Sequence, residues 1–170
     1  MITLYQRADC PFCWKVRLAL AELGLGYTTI EVRYGEKHPD VLRLSPTGTV
    51  PVLIDGDCTI WESAVVLDYL DARYSAGSLL PADSLQQTWV RSLQAYSDKC
   101  IGAALRPLVF EKRSKVPSEQ DSALIETSAL AWRNCQAWLE KTLQPRWMCG
   151  CALSAGECAL AARCGIAAAY

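Results

Sequence analysis

The sequence lacks long hydrophobic runs and carries almost no net charge. None of its apolar stretches reaches the ~18–20 residues that a membrane-spanning helix needs. It begins MITLYQR, without the basic start and the long apolar stretch of a signal peptide. The net charge of −1 over 170 residues gives no general attraction to nucleic acid or to an anionic membrane. The sequence therefore predicts a cytoplasmic protein that has no nucleic-acid or membrane partner.

Histidine is nearly absent, since His38 is the only one in the chain. A zinc site needs four ligands, and these commonly come as two close pairs. Cys10 and Cys13 form one close pair, whereas Cys149 and Cys151 are spaced too tightly to supply the usual second pair. We therefore predict that the protein holds no metal ion.

Cysteine, by contrast, is abundant, with nine residues. A disulfide framework is typical of short secreted chains that have few apolar residues. Here the apolar fraction is 51% and the charged fraction 21%, as in a folded globular protein. We therefore expect most of the thiols to be reduced and buried as small hydrophobic side chains.

The first part of the chain alternates between the strand period and the helix period. Its segments are a strand at 2–5, a helix from Pro11 to Leu23, a strand at 27–33, an irregular stretch, a hairpin at 51–61 and a helix at 62–74. A strand, a crossover helix and a second strand imply a parallel pair. The hairpin around Asp55-Gly56 adds antiparallel strands. We predict a mixed four-stranded sheet with helices packed on it.

Beyond this part the strand signal disappears. Gly, Pro and Ser in residues 75–84 predict a linker. Helical periodicity then returns in three segments, 85–105, 122–143 and 154–170. Pro107 should kink or end the first of these helices, and Ser154-x-x-Glu157 is a capping-box pattern at the start of the last. The predicted organisation is an α/β domain at 1–75, a linker at 76–84 and an all-helical domain at 85–170.

Cys10 and Cys13 lie where the first strand ends and the first helix begins. Pro11 suits the first helical turn, so Cys10 falls at or beside the N-cap, where free N–H groups and the helix dipole stabilise an anion. These groups lower the pKa of Cys10, which makes it the candidate nucleophile. Cys13 lies one turn further in and is either a resolving thiol or a structural one. Burial of both cysteines as core residues is the alternative.

Two further segments suit the binding of a small peptide. A cis bond between Val50 and Pro51 would leave the Val50 backbone free to pair with an extended ligand, the alternative being an ordinary edge-strand proline. Glu62 and Ser63 open a helix. Its first N–H groups and the Ser63 hydroxyl suit a carboxylate, while the Glu62 side chain suits an ammonium. The alternative is a plain helix cap made by Ser63.

Taken in order, these segments resemble the glutathione S-transferase superfamily. The resemblance rests on Cys-Pro-Phe-Cys (10–13), Thr-Val-Pro-Val-Leu (49–53) and Trp-Glu-Ser-Ala (61–64), followed by a linker and a helical half. A cysteine at position 10 is similar to the omega, beta and related thiol-transferase classes. The resemblance implies a thioredoxin-like first domain that binds glutathione, followed by a helical domain.

The resemblance also implies roles for the residues of these motifs. Cys10 forms a mixed disulfide with glutathione or faces its sulfur. The backbone of Val50, beside Pro51, pairs with the cysteinyl unit of glutathione. Glu62 and Ser63 hold the γ-glutamyl end.

The other contacts implied by the resemblance come from three side chains. Phe12 lies at the wall of the site. Lys37 or His38, in the segment GEKHPD, reaches the glycyl carboxylate of glutathione. The second substrate is an electrophile or a disulfide, and no residue of the helical half specifies which.

The activity implied is that of a glutathione-dependent transferase or thiol–disulfide oxidoreductase that functions as a homodimer. Family members usually carry further helices after the one that begins near Ser154, so we expect a helical domain that is naturally short or truncated. A non-catalytic interaction or regulatory protein with the same fold is the alternative. The retained cysteine favours the enzyme.

Overall fold

The computed structural model describes residues 1–75, 77–142 and 152–170. Cys149, Cys151 and the last residue of the helix predicted at 122–143 lie outside these ranges. No helix in the described ranges combines the length and the hydropathy that a bilayer span needs.

The first part of the chain forms the predicted mixed sheet. Its strands are β1 (Ile2–Gln6), β2 (Tyr27–Glu31), β3 (Val52–Asp55) and β4 (Cys58–Trp61), in the sheet order β2-β1-β3-β4. β1 and β2 are parallel, whereas β3 runs antiparallel to both β1 and β4. The hairpin turns at Gly56, whose φ of +58° a glycine adopts without steric cost. The predicted mixed four-stranded sheet is confirmed.

Three helices accompany this sheet: α1 (Pro11–Glu22), α2 (Pro39–Leu44) and α3 (Ser63–Leu70). Gly24, at φ +62°, follows the end of α1, in agreement with the predicted stop. α2 corrects the prediction of an irregular stretch, because its six residues are too few to show a helical period. Its start depends on local signals, namely Pro39 in the first turn and the His38 side chain, which accepts a hydrogen bond from the Asp40 N–H.

The second part is helical. Its helices are α4 (Ser84–Tyr96), α5 (Gly102–Ser114), α6 (Ser122–Thr142) and α7 (Ala155–Ala169). A five-residue π-helical stretch, Ser97–Ile101, joins α4 to α5. The sequence predicts that Pro107 kinks or ends its helix. The helix does not end there, because α5 continues past Pro107 to Ser114. Proline removes the hydrogen bond to the carbonyl four residues back and its ring crowds that carbonyl, but the residue concerned, Ala103, is exposed.

Both parts share one apolar core. Leu4 and Leu53 of the sheet, Val16 of α1, Leu93 of α4 and Ile166 of α7 belong to the same buried cluster. At the start of α7 the predicted capping box is present, since the Ser154 N–H donates to the Glu157 carboxylate at 2.9 Å. α7 therefore begins at a fixed point and packs against α1 and α4. This packing brings the helical domain over the loop that follows β1.

Candidate active site

A cavity of about 630 Å³ lies between the two domains. The loop after β1, the segment before β3 and the start of α3 form one wall. The π-helical stretch, α5 and α7 form the other. Chain elements distant in sequence therefore meet at one site of a size typical for small-molecule binding.

Cys10 lines the first wall, and Cys13 lies one helical turn further along α1. Cys10 is the N-cap residue of α1, as predicted, and is only 5% exposed, while Cys13 is fully buried. The Cys13 thiol donates a hydrogen bond to Cys10 and lowers its pKa to about 6. Backbone N–H groups of Cys13 and Phe12 and the charge of Arg7 act in the same direction, against the opposing effect of burial. This lowering has the direction that the sequence predicts, but its largest cause is a neighbouring thiol rather than the helix start.

The two thiols differ because they face different surroundings. Burial raises the pKa of Cys13, and its hydrogen bond to Cys10 raises that pKa further. The hydrogen bond between the two thiols shifts their pKa values in opposite directions, which favours ionisation of Cys10 over that of Cys13. Cys10 lines the cavity, whereas Cys13 is not among the lining residues.

The Val50–Pro51 bond is cis, as predicted. Both residues line the cavity, Val50 half-buried and Pro51 buried. Tyr5 of β1 pairs with Val52, so this segment lies directly beside the strand that leads to Cys10. The Val50 backbone is therefore on the same wall as Cys10.

Glu62 and Ser63 also line the cavity. Ser63 is the first residue of α3 and is buried, so the alternative of a plain cap made by Ser63 does not hold. Glu62 occupies the N-cap position without a capping hydrogen bond from its side chain, and its φ of +67° is uncommon outside glycine. Such a backbone is typical of functional positions. The Glu62 carboxylate is exposed and is not used to hold its own helix.

The remaining predicted residues divide into two groups. Phe12 and His38 line the cavity, whereas Lys37 is exposed and is not among the lining residues. The His38 ring packs edge-on against Tyr5, with 5.6 Å between ring centres. Of the two candidates for the glycyl carboxylate, the structure brings only His38 to the cavity.

The sequence reasoning missed a buried charge cluster behind Phe12. Lys15 is 1% exposed, and its Nζ donates to Asp98 Oδ2 at 2.7 Å. Arg163 Nη2 lies 3.6 Å from Asp98 Oδ1, and its guanidinium lies 4.5 Å from the centre of the Phe12 ring. Burial lowers the pKa of both Lys15 and Arg163, while Asp98 opposes this effect. The sequence contains one signal of this cluster. Lys15 shares a helical face with buried Ala19, and a buried charge requires a partner.

No group of three or more His, Cys, Asp or Glu side chains in residues 1–75, 77–142 and 152–170 is arranged to hold an ion. The free cysteines of these ranges include Cys10 and Cys13.

Sequence comparison connects the chain to named proteins. The family model "Glutathione S-transferase, N-terminal domain" matches residues 4–78. A glutathione S-transferase of Pseudomonas putida is 36% identical over 57% of this chain and 50% of its own length. A stringent starvation protein A homolog of Haemophilus influenzae is 36% identical over 44% of this chain and 35% of its own length. Glutathione S-transferase GstB of Escherichia coli is 29% identical over 95% of this chain and 80% of its own length. The match thus spans half or less of the first two relatives.

Solved structures share the fold over nearly the whole chain. A glutathione S-transferase from Rhodospirillum rubrum F11 has a TM-score of 0.89 at 29% identity, covering 98% of this chain and 78% of that one. The theta class enzyme of Xanthomonas axonopodis pv. citri, solved with glutathione bound, has a TM-score of 0.85 at 25% identity, covering 94% and 78%. The mixed sheet and the helical domain match the fold of these proteins. Residues 4–78 are thus similar to the N-terminal domain of glutathione S-transferases, and nearly the whole chain shares the fold of these solved structures.

Proposed function

We propose that the protein is a glutathione-dependent thiol transferase that uses Cys10 as its nucleophile. The observation that carries the proposal is a thiol of lowered pKa at the N-cap of α1, lining a cavity between the domains. A thiolate is the reactive form of cysteine, so such a residue is ready to attack a disulfide at neutral pH. The cysteine relates the protein to the omega and beta classes.

Glutathione fits the first wall as an extended tripeptide. The Glu62 carboxylate meets the α-ammonium of its γ-glutamyl end, and the Ser63 hydroxyl and the first N–H groups of α3 meet the carboxylate beside it. The Val50 backbone pairs with the cysteinyl unit, which places the sulfur near Cys10. His38, rather than Lys37, reaches the glycyl carboxylate. The Xanthomonas neighbour, which was solved with glutathione bound, supports this choice of ligand.

The chemistry is a pair of thiol–disulfide exchanges. The Cys10 thiolate attacks the glutathione sulfur of a mixed disulfide, the old S–S bond breaks, and the other half leaves as a thiolate. A second glutathione thiolate then attacks the Cys10–glutathione disulfide, which releases glutathione disulfide and restores the Cys10 thiolate. Conjugation to an electrophile suits this site less well, because the Cys10 thiolate would compete with the glutathione thiolate for the same position.

The proposal includes a compartment and an assembly. Glutathione-dependent exchange needs a reducing environment, which favours the cytoplasm. We propose a homodimer in which the first domain of one copy packs against the helical domain of the other. Light scattering at micromolar concentration should give twice the mass of the chain, and a clean monomer would contradict the dimer.

Turnover of a glutathione mixed disulfide tests the function. The disulfide of glutathione and 2-mercaptoethanol is supplied with excess glutathione, and glutathione disulfide is followed through NADPH oxidation by glutathione reductase. We expect catalysis above the uncatalysed rate, with full activity kept by Cys58→Ser, a control at an exposed cysteine outside the cavity lining. A rate equal to that without protein would contradict the proposal.

A binding protein without catalysis is the second candidate. It is favoured by relatives named stringent starvation protein A, which match less than half of this chain. Retention on immobilised glutathione without any turnover would support it. Turnover that depends on Cys10 would exclude it.

A further inference from the structure

A stack of alternating arginine and aromatic side chains forms part of the cavity wall. We call it the arginine–aromatic stack, and its members in spatial order are Arg7, Tyr34, Arg113, Phe110 and Arg106. The guanidinium carbon of Arg7 lies 4.8 Å from the Tyr34 ring centre, and that of Arg113 lies 4.3 Å from the centre of the same ring. Arg113 also lies 4.8 Å, and Arg106 5.5 Å, from the Phe110 ring centre.

The stack crosses from one domain to the other beside the nucleophile. Arg7 belongs to the loop after β1 and Tyr34 to the loop after β2, whereas the other members belong to α5. Asp9, which directly precedes Cys10, forms ion pairs with both Arg7 and Arg113. The stack is therefore tied to the loop that carries the thiolate.

The stack is strongly positive. Of its three guanidinium groups, those of Arg7 and Arg113 pair with one carboxylate, that of Asp9, so the stack and Asp9 together carry a net charge of +2 in a chain whose total is −1. Within residues 1–75, 77–142 and 152–170, Arg106 has no carboxylate at ion-pair distance. One nitrogen of Arg113 is buried without a hydrogen-bond partner in the same ranges. Aromatic rings hold these charges in place without neutralising them.

Two arginines of the stack, Arg106 and Arg113, belong to a different element from the residues assigned to glutathione. Glu62, Ser63 and Val50 belong to the first domain, whereas Arg106 and Arg113 line the cavity from α5. Leu105 and Val109 of the same helix line the cavity as well. The helical wall therefore offers an apolar surface with fixed positive charge.

We infer that the second substrate is an organic acid thiol in disulfide form, whose carboxylate is attracted by Arg106 and its neighbours in the stack. This inference rests on the proposed function, since it assigns the half of the mixed disulfide that leaves. Guanidinium groups match carboxylates in charge and geometry. When Cys10 attacks the glutathione sulfur, the departing half becomes a thiolate, so the same positive field stabilises the negative charge that forms on it.

Three mixed disulfides of glutathione test the inference, because they differ only in the terminal group of the other half. They carry 3-mercaptopropionate (anionic), 2-mercaptoethanol (neutral) and cysteamine (cationic). We expect kcat/KM to be about tenfold higher for the anionic than for the neutral substrate and lowest for the cationic one. The preference should shrink in ~0.5 M salt, because exposed charges are then screened.

Charge reversal at Arg106 tests whether this residue causes the preference for the anionic mixed disulfide. Arg106 is exposed, so Arg106→Glu should fold, and it should bring the ratio of anionic to neutral kcat/KM close to one. Arg133→Glu changes the net charge by the same amount on an exposed face of α6 outside the cavity lining, and should keep the ratio within about twofold of wild type. The KM for glutathione should stay unchanged in both variants.

The possible outcomes distinguish a failure of this inference from a failure of the proposed function. Equal kcat/KM for all three substrates in the wild type would overturn the inference while leaving thiol transfer intact. A rise in the KM for glutathione in Arg106→Glu, with the substrate ratio unchanged, would also overturn it, since the stack would then serve glutathione. No turnover of any substrate would overturn the proposed function and this inference with it.

Discussion

The two walls of the cavity are built in different ways. The wall from the first domain is made by short segments in which neighbouring residues act together, such as Cys10 with Cys13 and Glu62 with Ser63. The wall from the helical domain is made by residues from separate helices, and its charges are paired across long sequence separations, as in Lys15 with Asp98. The first wall carries the groups proposed for thiol–disulfide exchange and glutathione binding. The second wall contributes the electrostatic field of its charged side chains.

This difference implies that substitutions in the two walls have different effects on activity and stability. On the first wall a single substitution removes a reacting or binding group but disturbs little else, because the turn around it is fixed by local backbone structure. On the second wall, Asp98 and Arg163 belong to a buried charge cluster, so a substitution there also changes the packing of the domains, whereas the exposed Arg106 is outside that cluster. Substitutions on the first wall should therefore alter activity, whereas those in the charge cluster should alter stability as well.

The largest expected effect is the loss of the nucleophile. Cys10→Ser should abolish reduction of the glutathione mixed disulfide, with a loss of at least roughly 10³-fold, because a hydroxyl without a base is a poor nucleophile. Cys13→Ser should retain activity within about one order of magnitude, since a second glutathione can release the product. Both variants are measured in parallel, with folding checked by circular dichroism.

Two outcomes would contradict this prediction. Equal damage from both substitutions would indicate a dithiol mechanism, in which Cys13 resolves the mixed disulfide. Activity that survives in Cys10→Ser would remove Cys10 as the nucleophile and would turn attention to the binding-protein alternative.

The second prediction moves to the helical wall. Asp98→Asn should lower the free energy of unfolding by about 3 kcal/mol, because the fully buried Lys15 loses its anionic partner and Arg163 loses its own. The matched control is Asp68→Asn, which breaks the exposed pair with Arg91 and should cost less than about 1 kcal/mol. Urea denaturation of the two variants measures both values. Equal costs would mean that burial of the pair does not matter.

Much of the first wall could be predicted from the sequence because its signals are local. The N-cap position of Cys10 follows from Pro11 beside it, and the cis bond is predicted for a proline at the start of a strand, a position that allows such a bond without requiring it. Glu62 and Ser63 open a helix that its own periodicity shows. In each case a few consecutive residues contain the whole argument.

The rest could not be predicted because it depends on packing. Lys15 and Asp98 are 83 residues apart, and no periodicity connects them. Lys37 and His38 are neighbours, and only the position of α2 decides that His38 lines the cavity. The continuation of the helix through Pro107 likewise depends on the packing of α5 rather than on the proline itself.

The third prediction tests how the helical wall rests on the first domain. A Cβ at Gly165 of α7 would lie 2.5 Å from the Trp14 ring of α1, and a rigid indole inside the domain interface cannot easily move. Gly165→Ala should therefore destabilise the protein by about 1–2 kcal/mol, even after the gain in helix propensity. A Cβ at Gly102 would lie 2.9 Å from the tip of Arg163, a longer and less rigid side chain than the indole, although it is buried and paired with Asp98.

Gly102→Ala is therefore the matched control for Gly165→Ala. Its unfolding free energy should stay within about 1 kcal/mol of wild type, because the helix gains propensity while only a flexible guanidinium is displaced. Thermal and urea unfolding of the two variants compare a rigid neighbour with a flexible one. Destabilisation of Gly102→Ala as large as that of Gly165→Ala would mean that Arg163 is held as firmly as the Trp14 ring.

The last and smallest effect concerns the cause of the lowered pKa of Cys10. Because the Cys13 thiol is the largest cause, Cys13→Ala should raise the pKa of Cys10, and a higher pKa leaves less thiolate at low pH. Iodoacetamide labelling of Cys10 at pH 6, read by peptide mass spectrometry, should slow by about fivefold or more. Cys13→Ser keeps a hydrogen-bond donor of similar size, so its labelling should stay close to wild type. Labelling at the wild-type rate in both variants would assign the shift to the backbone N–H groups of α1 instead, and the first wall would then owe its reactivity to the helix start alone.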